Sequence, residues 1–101
     1  MVRHFVAWNF ADHLSEEERG VKAMQMKSEL ESLKDLIPGI VSIHVHLNQL
    51  STSDSDLVLD SVFVDEEALK AYLIHPEHVR VGTNYVKPIT SNRKCIDFVV
   101  D

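Results

Sequence analysis

Several residue types are scarce in this chain of 101 residues, and each scarcity excludes a class of protein. There are three glycines, three prolines and one cysteine, against 45% hydrophobic residues. Disordered and collagen-like chains have a very different composition. The lone Cys95 cannot form an internal disulfide, so the fold does not require an oxidising compartment.

Membrane-targeting segments are also missing from the sequence. The chain begins Met1-Val-Arg-His-Phe-Val-Ala-Trp, which has neither the apolar run nor the cleavage site of a signal peptide. No apolar stretch approaches the length that spans a bilayer. We therefore expect residues 1–101 to form a single cytoplasmic domain.

Positive charge is scarce relative to negative charge. Ten Lys and Arg residues stand against sixteen Asp and Glu, which gives a formal net charge of −6 at pH 7. Nucleic acids and anionic membrane surfaces attract basic proteins. We therefore expect neither a nucleic acid nor a membrane as a partner.

Periodicity and capping signals predict six main elements. Strands are predicted where apolar residues alternate, and helices where a cap and acidic residues precede an apolar stripe. The predicted strands are Val2–Phe10, Ile40–Leu47, Leu57–Val64 and Lys94–Val100, and the helices start after the caps Ser15 and Asp65. Pro76 should end the second helix near His75 and begin a further helical turn. This order predicts a ferredoxin-like α+β fold, the split βαβ unit β-α-β-β-α-β, with helices on one face of an antiparallel sheet.

The first strand carries large apolar side chains on both of its faces, although the helices can cover only one. We expect the face without helices to present an apolar set that shares its side with His4, namely Val6, Trp8, Phe10, Leu57, Leu59 and Phe63. An exposed patch of that size marks an interaction surface, and a second copy related by a two-fold axis is the simplest cover. The sequence therefore predicts a homodimer through the sheet face, a dimeric α+β barrel with an apolar lumen between its two sheets.

Three segments resemble the stress-responsive dimeric α/β-barrel (Dabb) domain family. They are Met1-Val-Arg-His-Phe-Val, Ile37-Pro38-Gly39 and Glu67-Ala-Leu-Lys-Ala-Tyr-Leu-Ile-His-Pro-Glu-His-Val79. The pattern Tyr-x-x-His-Pro-x-His in the last segment is the most specific, and the resemblance covers essentially the whole chain. It implies a ferredoxin-like protomer, a sheet-to-sheet dimer and a link to stress response.

The best-defined activity in that family is a plant polyketide cyclase of the olivetolic acid type, which closes a linear poly-β-keto thioester by an aldol step. Tyr72 and His78 match its catalytic pair in type and spacing, and His4 matches a pocket histidine of its first strand. The resemblance implies that His78 is a base that removes a proton next to a carbonyl and that Tyr72 donates a hydrogen bond to the substrate. The alternative is that Tyr72 and His78 are a signature of the fold, which pack the turn around Pro76 and form hydrogen bonds with backbone groups.

Two positions depart from the cyclase pattern. Leu57 stands where the cyclase has a pocket histidine, and Leu30 stands where it has a pocket tyrosine. The expected substrate-binding residues are then His4 and a mostly apolar set, Val6, Trp8, Leu57, Leu59 and Phe63. This lining argues against the same substrate class. The alternative for His4 is that it forms one half of a structural hydrogen bond, because a buried imidazole needs a partner.

Two pairs of histidines are spaced so that each pair could share a metal ion. His44 and His46 lie two residues apart on a strand, and His75 and His78 lie three residues apart near Pro76. Spacing fixes no third ligand, whereas a catalytic zinc site has three protein ligands. We expect no metal and no cofactor, and we expect His75 to be structural, with its imidazole capping either the helical turn that follows it or a nearby carbonyl.

Two functional hypotheses follow. In the first, the lumen binds an apolar, carbonyl-bearing small molecule, with proton transfer or aldol-type cyclisation at His78. In the second, the protein is a non-catalytic, stress-associated dimer or larger assembly whose own side chains fill the lumen. A closed lumen below about 300 Å³ would favour the second, because it is too small for a drug-sized ligand. A cofactor-free monooxygenase is a weaker third hypothesis, based on relatives of the fold alone.

Overall fold

The computed structural model describes residues 1–100, and its elements follow the predicted order. The strands are β1 (Val2–Phe10), β2 (Ile40–His46), β3 (Leu57–Phe63) and β4 (Thr90–Val99), and the helices are α1 (Glu16–Ser32), α2 (Glu66–Ile74) and α3 (Pro76–Val81). The strands form one antiparallel sheet in the order β2-β3-β1-β4. The prediction of a ferredoxin-like α+β fold is confirmed.

The helices begin and end where the capping residues predict. The Ser15 hydroxyl accepts from the Glu18 N–H at 3.2 Å, and the Glu18 carboxylate accepts from the Ser15 N–H at 3.1 Å, which completes a capping box. Asp65 accepts from the Ala68 N–H at 2.8 Å. His75 ends α2 and caps α3, because its Nδ1 accepts from the Glu77 N–H at 3.1 Å. The predicted capping role of His75 is confirmed.

A single hydrophobic core lies between the helices and one face of the sheet. It joins residues of α1 and α2 to every second residue of β1 and β3, including Ala23, Met26, Leu30, Leu69 and Tyr72 from the helices and Val2, Val6, Trp8, Leu57, Leu59 and Phe63 from the strands. The prediction that this strand set, with His4, faces away from the helices is therefore wrong. Alternation shows which residues share a face of a sheet but does not show which face the helices cover.

The helix-free face is less apolar than predicted. It carries Arg3, Phe5 and Ala7 of β1, and the register places beside them Val62, Asp60 and Val58 of β3 and Phe98, Ile96 and Lys94 of β4. Phe5 and Phe98 are in ring contact, with centroids 5.8 Å apart. The β2 side of the same face is polar, since His44 and His46 of this edge strand lie there and Asp60 is 3.6 Å from His46 Nε2. The apolar part of this face is thus formed by residues of β1 and β4 together with Val58 and Val62 of β3.

No helix within residues 1–100 is both long enough and apolar enough to cross a membrane.

Candidate functional site

A cavity of about 280 Å³ lies inside the protomer, between the sheet and the helical segments that precede β4. It is lined by His4, Val6, Trp8, Leu30, Leu59, His78, Gly82, Val86, Lys87 and residues 90–93. Lys87, Asn92 and Arg93 are exposed and mark its mouth. The cavity is therefore not the predicted lumen between two sheets, because the apolar residues expected there lie under the helices.

The imidazole of His78 is held so that one of its nitrogens remains free. Its Nδ1 lies 3.1 Å from the carbonyl oxygen of Leu73. A carbonyl can only accept, so Nδ1 carries the hydrogen and Nε2 keeps its lone pair. Burial lowers the pKa of His78, an effect that the hydrogen bond to Leu73 partly opposes. The side chain is therefore a neutral base at neutral pH, on the wall of an apolar cavity.

His4 is the most deeply buried titratable group on the cavity wall, at 2% exposure. Its Nδ1 is hydrogen-bonded to the carboxylate of Asp97, the residue directly opposite on β4. A carboxylate at Nδ1 fixes the tautomer and orientation of an imidazole, and it stabilises the ring when that ring takes a proton. Asp97 thereby fixes the orientation of the His4 ring through Nδ1, and Nε2 is the ring nitrogen that Asp97 does not hold.

Tyr72 lies one layer deeper than the two imidazoles. It is fully buried, and its ring centroid is 4.3 Å from that of His78 and 6.2 Å from that of His4. Within the described residues its hydroxyl has no hydrogen-bond partner. Burial raises the pKa of Tyr72 above its ordinary value, so the hydroxyl keeps its proton. The structure thus brings Tyr72 and His78 into direct ring contact, although Tyr72 does not itself line the cavity.

The apolar residues predicted to bind substrate divide into two groups. Val6, Trp8 and Leu59 line the cavity, whereas Leu57 and Phe63 are fully buried in the core and do not. Leu30, the other departure from the cyclase pattern, also lines the cavity. Leucine in place of the cyclase tyrosine at position 30 therefore puts an apolar side chain on the cavity wall. Leucine in place of the cyclase histidine at position 57 does not affect the wall, because Leu57 does not line the cavity.

One group of three potential metal ligands exists among residues 1–100, and neither predicted histidine pair belongs to it. The group is His4, Cys95 and Asp97, whose ligand atoms lie within 4.8 Å of one another. Burial and the nearby Asp97 raise the pKa of the Cys95 thiol, which disfavours the thiolate that a metal binds. A divalent ion would also replace the hydrogen bond between His4 and Asp97. The same three groups can therefore share a proton or, in its place, a metal.

Six polar residues at this site were not predicted, namely Lys87, Thr90, Ser91, Asn92, Arg93 and Asp97. Asp97 interrupts the apolar pair Ile96 and Phe98, and a charged residue inside a predicted strand is a signal that could have identified it. Asn92 and Arg93 fell outside the predicted strand, which began at Lys94. Asparagine disfavours strands, so local sequence gave no reason to extend β4 to Thr90.

The fold and the cavity together define a ferredoxin-like protein whose protomer holds its own cavity. The family model described as the stress responsive A/B barrel domain (Dabb) matches residues 2–100. The chain belongs to this family, as the sequence resemblance predicted.

Solved structures of other proteins are similar to this chain in fold. A dimeric protein of unknown function with a ferredoxin-like fold from Bacteroides fragilis is 31% identical, with a TM-score of 0.87, over 96% of this chain and 93% of that one. A hydroxynitrile lyase from Passiflora edulis is 12% identical (TM-score 0.79; 99% and 93% covered). SnoaB, a cofactor-independent oxygenase from Streptomyces nogalater, is 15% identical (TM-score 0.73; 99% and 92% covered). A search of curated proteins returns no match.

Proposed function

We propose that the protein is an enzyme that moves a proton at the carbon next to a carbonyl group of a small molecule bound in the cavity. The observation that supports this most strongly is the free Nε2 of His78. It belongs to a neutral imidazole on an apolar wall, and Nδ1 of that imidazole is held by the Leu73 carbonyl. General-base catalysis needs a base of this kind, unprotonated at working pH and within reach of the substrate.

The proton transfer would proceed in one balanced step. Nε2 of His78 takes a proton from the substrate carbon, the electron pair of the broken C–H bond moves into the carbonyl, and an enolate forms beside a protonated imidazole. The return of that proton to another carbon or to oxygen completes an isomerisation. In an aldol reaction the enolate instead attacks a second carbonyl, and the alkoxide that forms takes the proton back from the imidazole. We therefore assign His78 as the catalytic base.

His4 and Tyr72 would stabilise the enolate oxygen. The Asp97 carboxylate orients the His4 ring through Nδ1, and a His4 ring with a hydrogen on Nε2 would donate to the oxygen. The Tyr72 hydroxyl is a buried donor without a partner among residues 1–100, and such a group commonly serves a ligand or a water molecule. We assign Tyr72 as a second donor to a substrate that reaches past the imidazole rings.

The size of the cavity favours a small substrate. About 280 Å³ is just below the range of about 300–1,000 Å³ that holds drug-sized ligands. The cavity is also not closed, because exposed residues form its mouth. The lining set His4, Val6, Trp8 and Leu59 suits a compound with one or two carbonyls and a short carbon chain better than a long polyketide.

We further propose that the protein acts as a homodimer through its helix-free sheet face. Phe5, Ile96 and Phe98 form an apolar patch on that face, in which Ile96 is 63% exposed in the single protomer. A partner sheet would cover this patch. The dimeric state of the Bacteroides fragilis relative supports this proposal.

Deuterium incorporation into hexane-2,5-dione tests the catalytic proposal. The dione is incubated with the protein in D2O, and the loss of its α-proton signals is followed by NMR. We expect the wild type to exceed the buffer rate, and His78→Asn to lower its catalysed rate by about 10²- to 10⁴-fold. His44→Asn is the matched control, because His44 lies on the helix-free face, and it should leave the rate unchanged.

Two outcomes would overturn the proposal. If His78→Asn exchanges protons as fast as the wild type, His78 is not the base. If the wild type binds the dione, seen as a shift of the single indole N–H signal of Trp8, but never exceeds the buffer rate, the protein is a non-catalytic binding dimer. No feature of the cavity favours an oxygenase, although SnoaB shows that an oxygenase can use this fold.

A further inference from the structure

Two positive charges flank the mouth of the cavity in a protein whose net charge is −6. Lys87 and Arg93 both line the cavity and both are exposed. No carboxylate of residues 1–100 lies within salt-bridge distance of either side chain. The proton-transfer site therefore opens through a rim whose two charged side chains are cations without a carboxylate partner.

A β-bulge in β4 places Arg93 at this rim. Ala7 pairs with Lys94 and Asn9 pairs with Ser91, so Asn92 and Arg93 together lie opposite the single residue Trp8. Asn92 has φ of +53°, a left-handed conformation that asparagine tolerates better than most residues. A bulge turns side chains away from the regular alternation of a strand, and bulges are common beside active sites. In this structure both bulge residues line the cavity.

Arg93 lines the same cavity as the proposed base His78. Burial lowers the pKa of His78 most, and the charges of His4 and then of Arg93 lower it further. Arginine presents a planar fork of donors that matches a carboxylate, and Lys87 adds a flexible positive charge at the same mouth. The Asn92 amide lies between them in sequence and can contribute a further donor.

We propose that the mouth of the cavity is a carboxylate-binding subsite formed by Arg93 and Lys87, and that the substrate is a small oxo acid. The carboxylate binds at the rim while the carbonyl end enters the apolar cavity toward His78. The statement that the carbonyl end of the substrate reacts rests on the proposed function, whereas the carboxylate-binding subsite does not. The subsite would select oxo acids over neutral ketones of the same size.

A size-matched pair of ligands tests this selection. The 4-oxopentanoate anion and hexane-2,5-dione have the same number of non-hydrogen atoms and differ in a carboxylate against an acetyl group. Each is titrated into the intact protein at low ionic strength, and the Trp8 indole N–H signal reports binding because Trp8 lines the cavity. We expect the oxo acid to bind at least about tenfold more tightly, as a charge-assisted hydrogen bond permits.

Substitutions assign the selection to the rim. Arg93→Gln should weaken oxopentanoate binding by about tenfold or more and leave dione binding unchanged, and Lys87→Gln should have a smaller effect. Lys34→Gln is the matched control, since it removes one exposed positive charge far from the cavity lining. It should change neither affinity, which shows that net charge alone is not responsible.

Three results would overturn the carboxylate subsite. The first is that the wild type binds both ligands with equal affinity, and the second is that Arg93→Gln leaves the affinity for oxopentanoate unchanged. The third is that inorganic phosphate displaces oxopentanoate at a lower concentration than oxopentanoate itself requires, which would indicate a phosphate site instead. Deuterium exchange in the same samples separates this inference from the proposed function. If binding depends on Arg93 but no deuterium is exchanged, the carboxylate subsite is supported and the catalytic proposal is wrong. If both ligands exchange deuterium and bind with equal affinity, the catalytic proposal is supported and the subsite is wrong.

Discussion

A pair of histidines lies on each side of the sheet, and the two pairs differ in burial and in hydrogen bonding: His4 of β1 and His78 of α3 lie on the helix-covered side, and His44 and His46 of β2 lie on the helix-free side. Under the helices, His4 is buried against Asp97, and His78 lies on the cavity wall with its Nδ1 bound to the Leu73 carbonyl. On the helix-free face, His44 and His46 are exposed, with ring centroids 6.5 Å apart. Residue type alone therefore does not single out the proposed base, His78. Its burial and the fixed partner of its Nδ1 do, because they determine which imidazole is neutral and oriented.

The largest difference between the faces should appear in stability. Phe63→Ala removes a fully buried ring from the helix-covered face and should lower the free energy of unfolding by about 3–5 kcal/mol. Phe98→Ala removes a ring that is 40% exposed on the helix-free face, and it should lower the free energy of unfolding of the monomeric protein by about 1 kcal/mol or less. Urea denaturation at low protein concentration measures both. Equal losses would contradict the assignment of the core to the helix-covered side alone.

Dimer formation should depend on the helix-free face of the sheet and not on the helix-covered one. A charge in the apolar patch of the helix-free face, Ile96→Asp, should weaken the dimer by about a hundredfold, since an unpaired charge would be buried in the contact. Val79→Asp is the control, because Val79 is 52% exposed on α3, away from that face. Sedimentation across micromolar concentrations measures the change. A wild type that sediments as an 11.5 kDa particle throughout would remove the proposed dimer.

The Tyr72 hydroxyl gives a sharper test within the helix-covered side. Tyr72→Phe keeps the ring contacts and removes a buried donor that has no partner among residues 1–100. Its free energy of unfolding should stay within about 1 kcal/mol of wild type, while the catalysed exchange rate falls. Denaturation and deuterium exchange measure the two effects. A larger loss of stability with unchanged exchange would mean that Tyr72 is structural.

The smallest expected effect is a pH dependence of stability. Burial lowers the pKa of His78 in the folded state, so between that value and the ordinary value of 6.5 the unfolded chain binds the proton more strongly. This contribution to stability is complete above pH 6.5 and is lost as pH falls through the lowered pKa. His78→Asn should therefore lose less stability than wild type between pH 7.5 and 5.5. An identical loss in both proteins would contradict a depressed pKa.

The order of elements was predictable because its signals are local. Ser15, Asp65 and Pro76 each satisfy or break backbone hydrogen bonds within a few residues of themselves, and the structure places helix ends at all three. The family was predictable for a similar reason, since the Tyr72 to His78 segment is contiguous. These features do not depend on which elements meet in space.

The position of the cavity was not predictable from alternation. Both faces of β1 carry aromatic residues, so the pattern allowed Trp8 to lie on either side. Arg3 and Asn9, which share the face of Phe5, were the available clue that this face is the less buried one. Asp97 and Arg93 depend on strand register and on a bulge, which are set by pairing between β1 and β4 across about ninety residues of sequence.

The tautomer of His78 tests the central claim most directly, because the proposed chemistry requires a free Nε2 facing the cavity. Two-dimensional NMR of the ¹⁵N-labelled imidazole rings reports which nitrogen carries the proton and follows each ring through a pH titration. We expect His78 to hold its proton on Nδ1 and to have a pKa below the ordinary value of 6.5. A proton on Nε2 at neutral pH, or a pKa of His78 at or above 6.5, would contradict the account.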